Sequence, residues 1–203
     1  MGISRQQHRI VLGAFLLLVI GFVPAALWLG QWAALSWDKP PLSGSLDFQW
    51  FDTTNQAHNL SAWEDGYTYL FFGFFSCSQI CPVRTHQMQT LERSLAQNTE
   101  LNLPPVRFLF ITIDPGTDTP KMRYEMIDSL SDRFFSARLE PRELSRIQHR
   151  LREKVSTLPT IPRHAGNLYL VGPDQSIKRI YSRTNIDNQW LLNDLQKIVI
   201  SAG

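Results

Sequence analysis

Tyr69-Leu-Phe-Phe-Gly-Phe-Phe-Ser-Cys77-Ser-Gln-Ile-Cys81-Pro-Val-Arg84 holds both cysteines of the 203-residue chain. An aromatic run of strand length ends in small residues and hands two thiols to a segment opened by Pro82. Proline suits a first helical turn, where its missing N–H would have had no partner. A helix start carries partial positive charge, which favours thiolate over thiol. The stretch is therefore built for thiol chemistry. Two uses are open, a disulfide switch and a soft-metal site.

On the N-terminal side, Leu46, Phe48 and Trp50 alternate with Asp47, Gln49 and Phe51, which predicts a strand over 46–52. Thr53 to Gln56 is its turn and His58–Leu60 a return strand, giving an N-terminal β-hairpin. The aromatic run predicts a buried strand over 67–75. Pro82 to Gln97 predicts a helix with Met88, Leu91 and Leu95 on one face. Val106–Ile113 is a continuous apolar strand, the signature of a sheet covered on both faces. Asp118 or Thr119 caps the next helix, with Pro120 as its first residue and Met122, Met126, Ile127 and Leu130 as its apolar stripe. A short strand at 134–139 and a helix at 141–155, with Leu144, Ile147 and Leu151 inward, follow. Thr157 to Arg163 is irregular. A hairpin over 167–171 and 177–181 comes next. The last helix, over 186–200, buries Trp190, Leu191, Leu195 and Ile198. Strand, helix, strand, helix, helix, hairpin, helix is the order of an α/β thioredoxin-like fold, a mixed sheet between helices.

The N-terminus differs in composition. Met1 to Arg9 carries Arg5 and Arg9 and no acid, and the residues from Ile10 to Leu29 carry no charge. About 20 such residues cross a hydrocarbon core of roughly 30 Å. Residues 10–30 therefore read as a single transmembrane helix. The preceding arginines put residues 1–9 in the cytoplasm. Trp28, Trp32 and Trp37 stand where an interfacial belt belongs. The apolar run is longer than a cleaved signal requires, and no clean Ala-x-Ala site follows it. Residues 31–45, with Pro40 and Pro41, form a linker to a domain over 46–203. A net charge of +2 and the lack of a basic stripe argue against nucleic acid. In an exported domain the two cysteines can be oxidised. A bridge closing so short a loop would add little stability, so a purely structural disulfide is a poor fit.

Three segments share one further property. The cysteine segment resembles the metal motif of the SCO/SenC family of copper-binding assembly proteins. Thr112-Ile-Asp-Pro-Gly-Thr-Asp-Thr-Pro120 resembles that family's Asp-Pro…Asp-Thr-Pro segment, and Arg163-His164-Ala-Gly-Asn-Leu-Tyr-Leu-Val-Gly-Pro-Asp174 its histidine segment. The three occur in family order, and the likeness runs from about Leu46 to the C-terminus. It implies a membrane-tethered thioredoxin-like protein that binds one copper, as Cu(I) or Cu(II), through Cys77, Cys81 and His164. Its role would lie in assembly of the cytochrome c oxidase copper centre. Its partners would be the copper-bearing oxidase subunit or another copper chaperone. Its place would be the bacterial inner membrane with the domain in the periplasm, or in a eukaryote the mitochondrial inner membrane facing the intermembrane space. The donor chemistry agrees, since thiolates select Cu(I) and imidazole accommodates both oxidation states.

Each residue also has a plainer reading. Cys77 and Cys81 suit a redox pair in a thiol–disulfide oxidoreductase or peroxidase-like enzyme that ignores metal, or they are a vestige on a scaffold. His164 suits a hydrogen-bonded histidine, and Asp114 and Asp118 suit helix capping better than copper. Arg142, Arg146, Arg150, Arg152 and Lys154 form a basic helix face expected to be solvated. Cys77-Ser-Gln-Ile-Cys81 with His86 and Met88 also resembles the copper loop of oxidase subunit II. There the His offset is one residue out, and the segment after Pro82 has a helical period, so Met88 is expected inside and His86 at the surface. Gln79 and Arg163 stand where the family commonly has Asp, and Gln175 where it often has Gly. These departures bear on partner choice rather than on the ligands.

Overall fold

The computed structural model describes Phe22, residues 44–153 and residues 166–202. The expected anchor at 10–30 apart from Phe22, all but the last two residues of the 31–45 linker, the irregular stretch at 157–163 and His164 lie outside the described residues. Among the described residues no helix is long and apolar enough to cross a membrane. The chain divides into two units, Met1–Asp38 and Lys39–Gly203, and the second carries the sheet.

That sheet is built on β3 (Tyr67–Gly73), every residue of which is buried. It pairs in parallel with β4 (Val106–Thr112), which pairs in parallel with β5 (Phe134–Ala137). On its other side β3 pairs antiparallel with β6 (Leu168–Val171), which turns into β7 (Ile177–Tyr181). The strand order is therefore β5-β4-β3-β6-β7, the mixed sheet implied by the element order. β1 (Gln49–Phe51) and β2 (Ala57–Asn59) form the separate N-terminal hairpin. Its join to the sheet is a bridge from Phe51 to Arg138, just past β5.

Side-chain alternation splits the core in two. Tyr67, Tyr69 and Phe71 point to one face and meet Met88, Leu91 and Leu95 of α1 (Ile80–Gln97) and Leu191 and Leu195 of α4 (Asn188–Ala202). Leu70 and Phe72 point to the other face. There they meet Leu46, Phe48 and Trp50 of the hairpin region and Ile147 of α3 (Pro141–Arg150). Each strand residue is thus covered whichever way it points, which is why the apolar runs are continuous.

Several sequence expectations are corrected. The predicted strand at 46–52 hydrogen-bonds as a strand only over 49–51, although Leu46, Phe48 and Trp50 are inward as the alternation requires. The apolar stripe assigned to the helix after Pro120 is wrong in part. α2 (Pro120–Met126) has only seven residues, and Met122 and Met126 are exposed. Its inward position belongs to Arg123, whose guanidinium donates to the carbonyls of Ser136 (2.8 Å) and Asp52 (2.9 Å). α3 stops at Arg150, short of Val155. Arg152 takes a left-handed φ of 52°, and the Glu153 N–H turns back to the Gln148 carbonyl. Trp190 is 43% exposed and only edges Tyr181. α4 also begins two residues later than predicted.

The hairpin is pinned by a charge. Asp52 accepts from the backbone N–H groups of Thr54 and Gln56 and from His58 Nε2 at 2.8 Å, while His58 stacks on Trp50. Burial alone would raise the Asp52 carboxyl, but the bonds from His58, Gln56 and Thr54 outweigh it and lower its pKa to about 2. A carboxyl held below its ordinary value of 3.8 stabilises the fold above that pH and stops doing so as pH falls through about 2. Asp52→Asn is expected to lower stability by ~2 kcal/mol at pH 7. The difference from wild type should close between pH 4 and pH 2, as read by urea unfolding across that range. A difference that stays constant with pH would show that the charge is not what pins the hairpin.

Candidate metal and thiol site

The site lies where parallel strands β3 and β4 end. That edge of an open α/β sheet leaves backbone groups and loop side chains free to meet a ligand. β3 stops at Gly73, and a Cβ there would come within 2.6 Å of the Phe110 ring and 3.2 Å of the Cys81 sulfur. The missing side chain is what lets the Cys81 thiol pack against the strand end. Past Phe74 the chain turns, with the Cys77 N–H bonded to the Phe74 carbonyl, and enters α1 at Ile80. Pro82 is therefore in the first turn but is not its first residue.

The helix start is arranged around sulfur. Gln79 stands at the N-cap position and makes no side-chain cap bond, and the first turn carries no acid. The N–H groups left over are used by Cys77, whose sulfur accepts from the backbones of Cys81, Gln79 and Ile80 and from the Cys81 thiol. Burial alone would raise the Cys77 pKa, but these donors outweigh it and the pKa is lowered. Cys81 is displaced the other way. It is buried among apolar side chains, and burial pushes its thiol far up, with the neighbouring Cys77 and Asp118 adding to the effect. Both cysteines are reduced, and one donates a hydrogen bond to the other. The pair is thus a half-exposed sulfur whose ionisation is favoured and a buried thiol whose ionisation is opposed.

Asp118, read from sequence as a cap or loop residue, is not the cap but does shape the loop. The cap is Thr119, whose hydroxyl accepts from Met122 N, with Pro120 the first helical residue as expected. Asp118 is 2% exposed and ties the Asp-Pro loop to the cysteine loop. One oxygen accepts from the Phe75 N–H at 3.1 Å and the other from the Thr112 hydroxyl at 2.6 Å. Burial raises its pKa, opposed by those two bonds.

The structure brings Cys77 and Cys81 together, and His164 lies outside the described residues. Among the described residues no three His, Cys, Asp or Glu side chains form a metal-holding group. His86 is exposed on α1 and Met88 is buried, as the helical reading requires. His58 belongs to the hairpin. The described part of the basic face is largely solvated, with Arg146 paired to Glu143 at 2.6 Å. Sequence reasoning missed Gly73, the strap made by Asp118, and the fully buried Arg84. Arg84 was nonetheless visible in the spacing, since it shares the helical face of Cys81 and Met88.

Residues 39–200 match the model of the SCO1/SenC family. An SCO2-like protein of Rickettsia typhi is 29% identical over 137 residues, covering 62% of this chain and 63% of that protein. The mitochondrial SCO2 homolog of Bos taurus is 27% identical over 192 residues, covering 85% of this chain and 71% of that protein. The copper-bound crystal structure of Arabidopsis thaliana ScoI superposes with a TM-score of 0.68 at 20% identity, over 78% of this chain and 99% of that one. The last likeness speaks for the fold.

The two thiols should differ in reactivity. With limiting iodoacetamide at pH 8, alkylation of the reduced protein is expected at Cys77 first, at least about tenfold faster than at Cys81. Peptide mapping reads the ratio, and equal labelling would mean that the helix start does not discriminate between them. Gly73→Ala is expected to cost about 1–3 kcal/mol of stability by overpacking, measured by denaturant unfolding.

Proposed function

Because the chain belongs to the SCO1/SenC family, we propose that it is a membrane-anchored copper metallochaperone and thiol reductant serving assembly of the cytochrome c oxidase copper centre. One copper is held by Cys77, Cys81 and His164. The observation that carries this reading is the pair of sulfurs in mutual contact at the first turn of α1, one of them with its pKa lowered by backbone donors. Two adjacent soft donors at the rim of the sheet suit Cu(I), which a single imidazole can complete to three-coordination. A three-coordinate site leaves a side open through which copper can pass to a receiving protein. Support for copper also comes from the copper-bound ScoI structure, which shares the fold.

The pKa split between the cysteines favours a second activity at the same place. A thiolate at Cys77 is the attacking group for a disulfide of a partner protein, and Cys81 must lose its proton before it resolves the mixed disulfide. Copper held by both sulfurs and disulfide exchange exclude each other, so redox state sets which activity is available. The receiving protein is the copper-bearing oxidase subunit or another copper chaperone. Residues 10–30 anchor the chain, and the domain over 46–203 faces the periplasm or, in a eukaryote, the intermembrane space.

Titration of the reduced full-length chain with Cu(I) against a chromophoric chelator tests the ligand set. One Cu(I) per chain is expected. Cys77→Ala and Cys81→Ala should each abolish tight binding, and His164→Ala should weaken it at least about tenfold. Unchanged affinity in His164→Ala would sink the three-ligand site. Dissociation constants of micromolar or weaker, about −8 kcal/mol, would favour the metal-free oxidoreductase.

A further inference from the structure

The cysteine loop and the Asp-Pro loop leave the sheet side by side, after β3 and β4. Gly73 is in register with Thr112, and the Ile113 N–H donates to the Gly73 carbonyl at 2.9 Å. Past that bond a side chain joins the two loops. Asp118 is 2% exposed, and its Oδ1 accepts from the Phe75 N–H at 3.1 Å. Its Oδ2 accepts from the Thr112 hydroxyl at 2.6 Å, and that hydroxyl accepts in turn from the Asp114 N–H at 3.1 Å. The Asp118 N–H reaches the Asp114 carbonyl at 2.9 Å and closes the Asp-Pro loop on itself. The carboxylate is therefore fixed from its own side and extends one oxygen across to the cysteine loop.

Burying a carboxylate against neutral donors is costly, and the start of α2 does not require it, because Thr119 supplies the cap. Its consequence lies in the other loop. The Phe74 carbonyl and the Phe75 N–H belong to one peptide unit. Asp118 holds the N–H end of that unit, and the Cys77 N–H binds its carbonyl end at 3.2 Å. A peptide unit is planar, so fixing one end fixes the direction of the other. The ring of Phe75 is held as well, stacked on Phe110 with the centroids 5.2 Å apart. Cys77 follows Phe75 by two residues, a reach of at most about 7 Å. From that turn its sulfur meets the backbone N–H groups of Gln79, Ile80 and Cys81.

We propose that Asp118 is a positioning residue for Cys77. By holding the peptide between Phe74 and Phe75, it sets the turn from which the Cys77 sulfur meets the start of α1. The role rests on the reading of the cysteine pair as the working part of the site, and it applies to the pair with or without metal. It does not require the charge of Asp118. An amide oxygen in the same place would accept from the same N–H.

Variants of the reduced full-length chain separate the bond from the charge. Each is treated with limiting iodoacetamide at pH 7, and peptide mapping reads the rate at Cys77 alone, with circular dichroism confirming the fold. Asp118→Ala removes the acceptor and is expected to slow Cys77 at least about fivefold. Asp118→Asn keeps an acceptor oxygen without the charge, and its Cys77 rate should stay within about twofold of wild type. That rescue is one that a carboxylate acting through its charge would not show. A wild-type rate in Asp118→Ala would overturn the positioning role. So would a loss in Asp118→Asn as large as that in Asp118→Ala. Should Asp118→Ala fail to fold, Thr112→Val replaces it. This variant keeps the shape of the side chain but lacks the hydroxyl that aims the carboxylate, and a slower Cys77 is again required. Because no metal takes part, a wild-type chain that binds no Cu(I) would sink the three-ligand reading and leave the role of Asp118 standing.

Discussion

The end of β3 is the constraint on which the cysteine pair depends. A central strand covered on both faces cannot continue past the sheet without exposing its aromatic residues, so the chain must turn where cover runs out. It does so at Gly73, the residue whose missing Cβ admits the Cys81 sulfur. Phe74 remains buried and Phe75 half-buried, stacked on Phe110, so the turn stays attached to the core. What emerges is a short loop with one thiol outside and one inside. The difference between the two cysteines is thus inherited from the sheet, before any helix dipole acts on them.

The helix start and Asp118 then enlarge that difference. Backbone N–H groups at the start of α1 stabilise negative charge on Cys77, the sulfur they can reach. The buried carboxyl of Asp118 acts on Cys81 and opposes its ionisation. Because Asp118 also binds the Phe75 N–H, the group that discourages charge on Cys81 is the same one that holds the loop of Cys77 in place. Geometry and electrostatics are therefore coupled, and moving the loop would alter both thiols at once. A metal that binds both sulfurs must displace the Cys81 proton against this opposition. Copper affinity at such a site therefore depends on pH.

Much of this was legible in the sequence, and the physical reason is consistent. The strands announced themselves because apolar residues had to fill both faces of the sheet. The cysteine loop announced itself because two thiols stood between a strand and a proline. What stayed hidden were positions where one polar side chain replaces an apolar one inside. Arg123 and Arg84 both sit on inward helix faces, places that apolar periodicity alone does not assign to a charged residue. The error at Met122 and Met126 has the same origin. A stripe of methionines reads as core, yet α2 is too short to bury two faces, and its inward place was taken by a guanidinium satisfied by backbone carbonyls. The second strand of the predicted hairpin, at 177–181, matched its bounds, and the first begins one residue late at Leu168, because the turn chemistry between them is local.

The departures from the family pattern also acquire physical meaning. Gln175 adopts a φ of 54°, which explains why glycine is common at that turn and implies strain that its side chain partly offsets by donating to the Pro173 carbonyl. Gln79 bears on the chemistry itself. An aspartate at the N-cap would accept from the first N–H groups of α1 and place a negative charge beside Cys77. Both effects would raise the Cys77 pKa, one by competing for its donors and the other by repulsion. Glutamine leaves the N–H groups to sulfur and adds no charge. In this chain the helix start therefore acts on the Cys77 sulfur without a carboxylate between them.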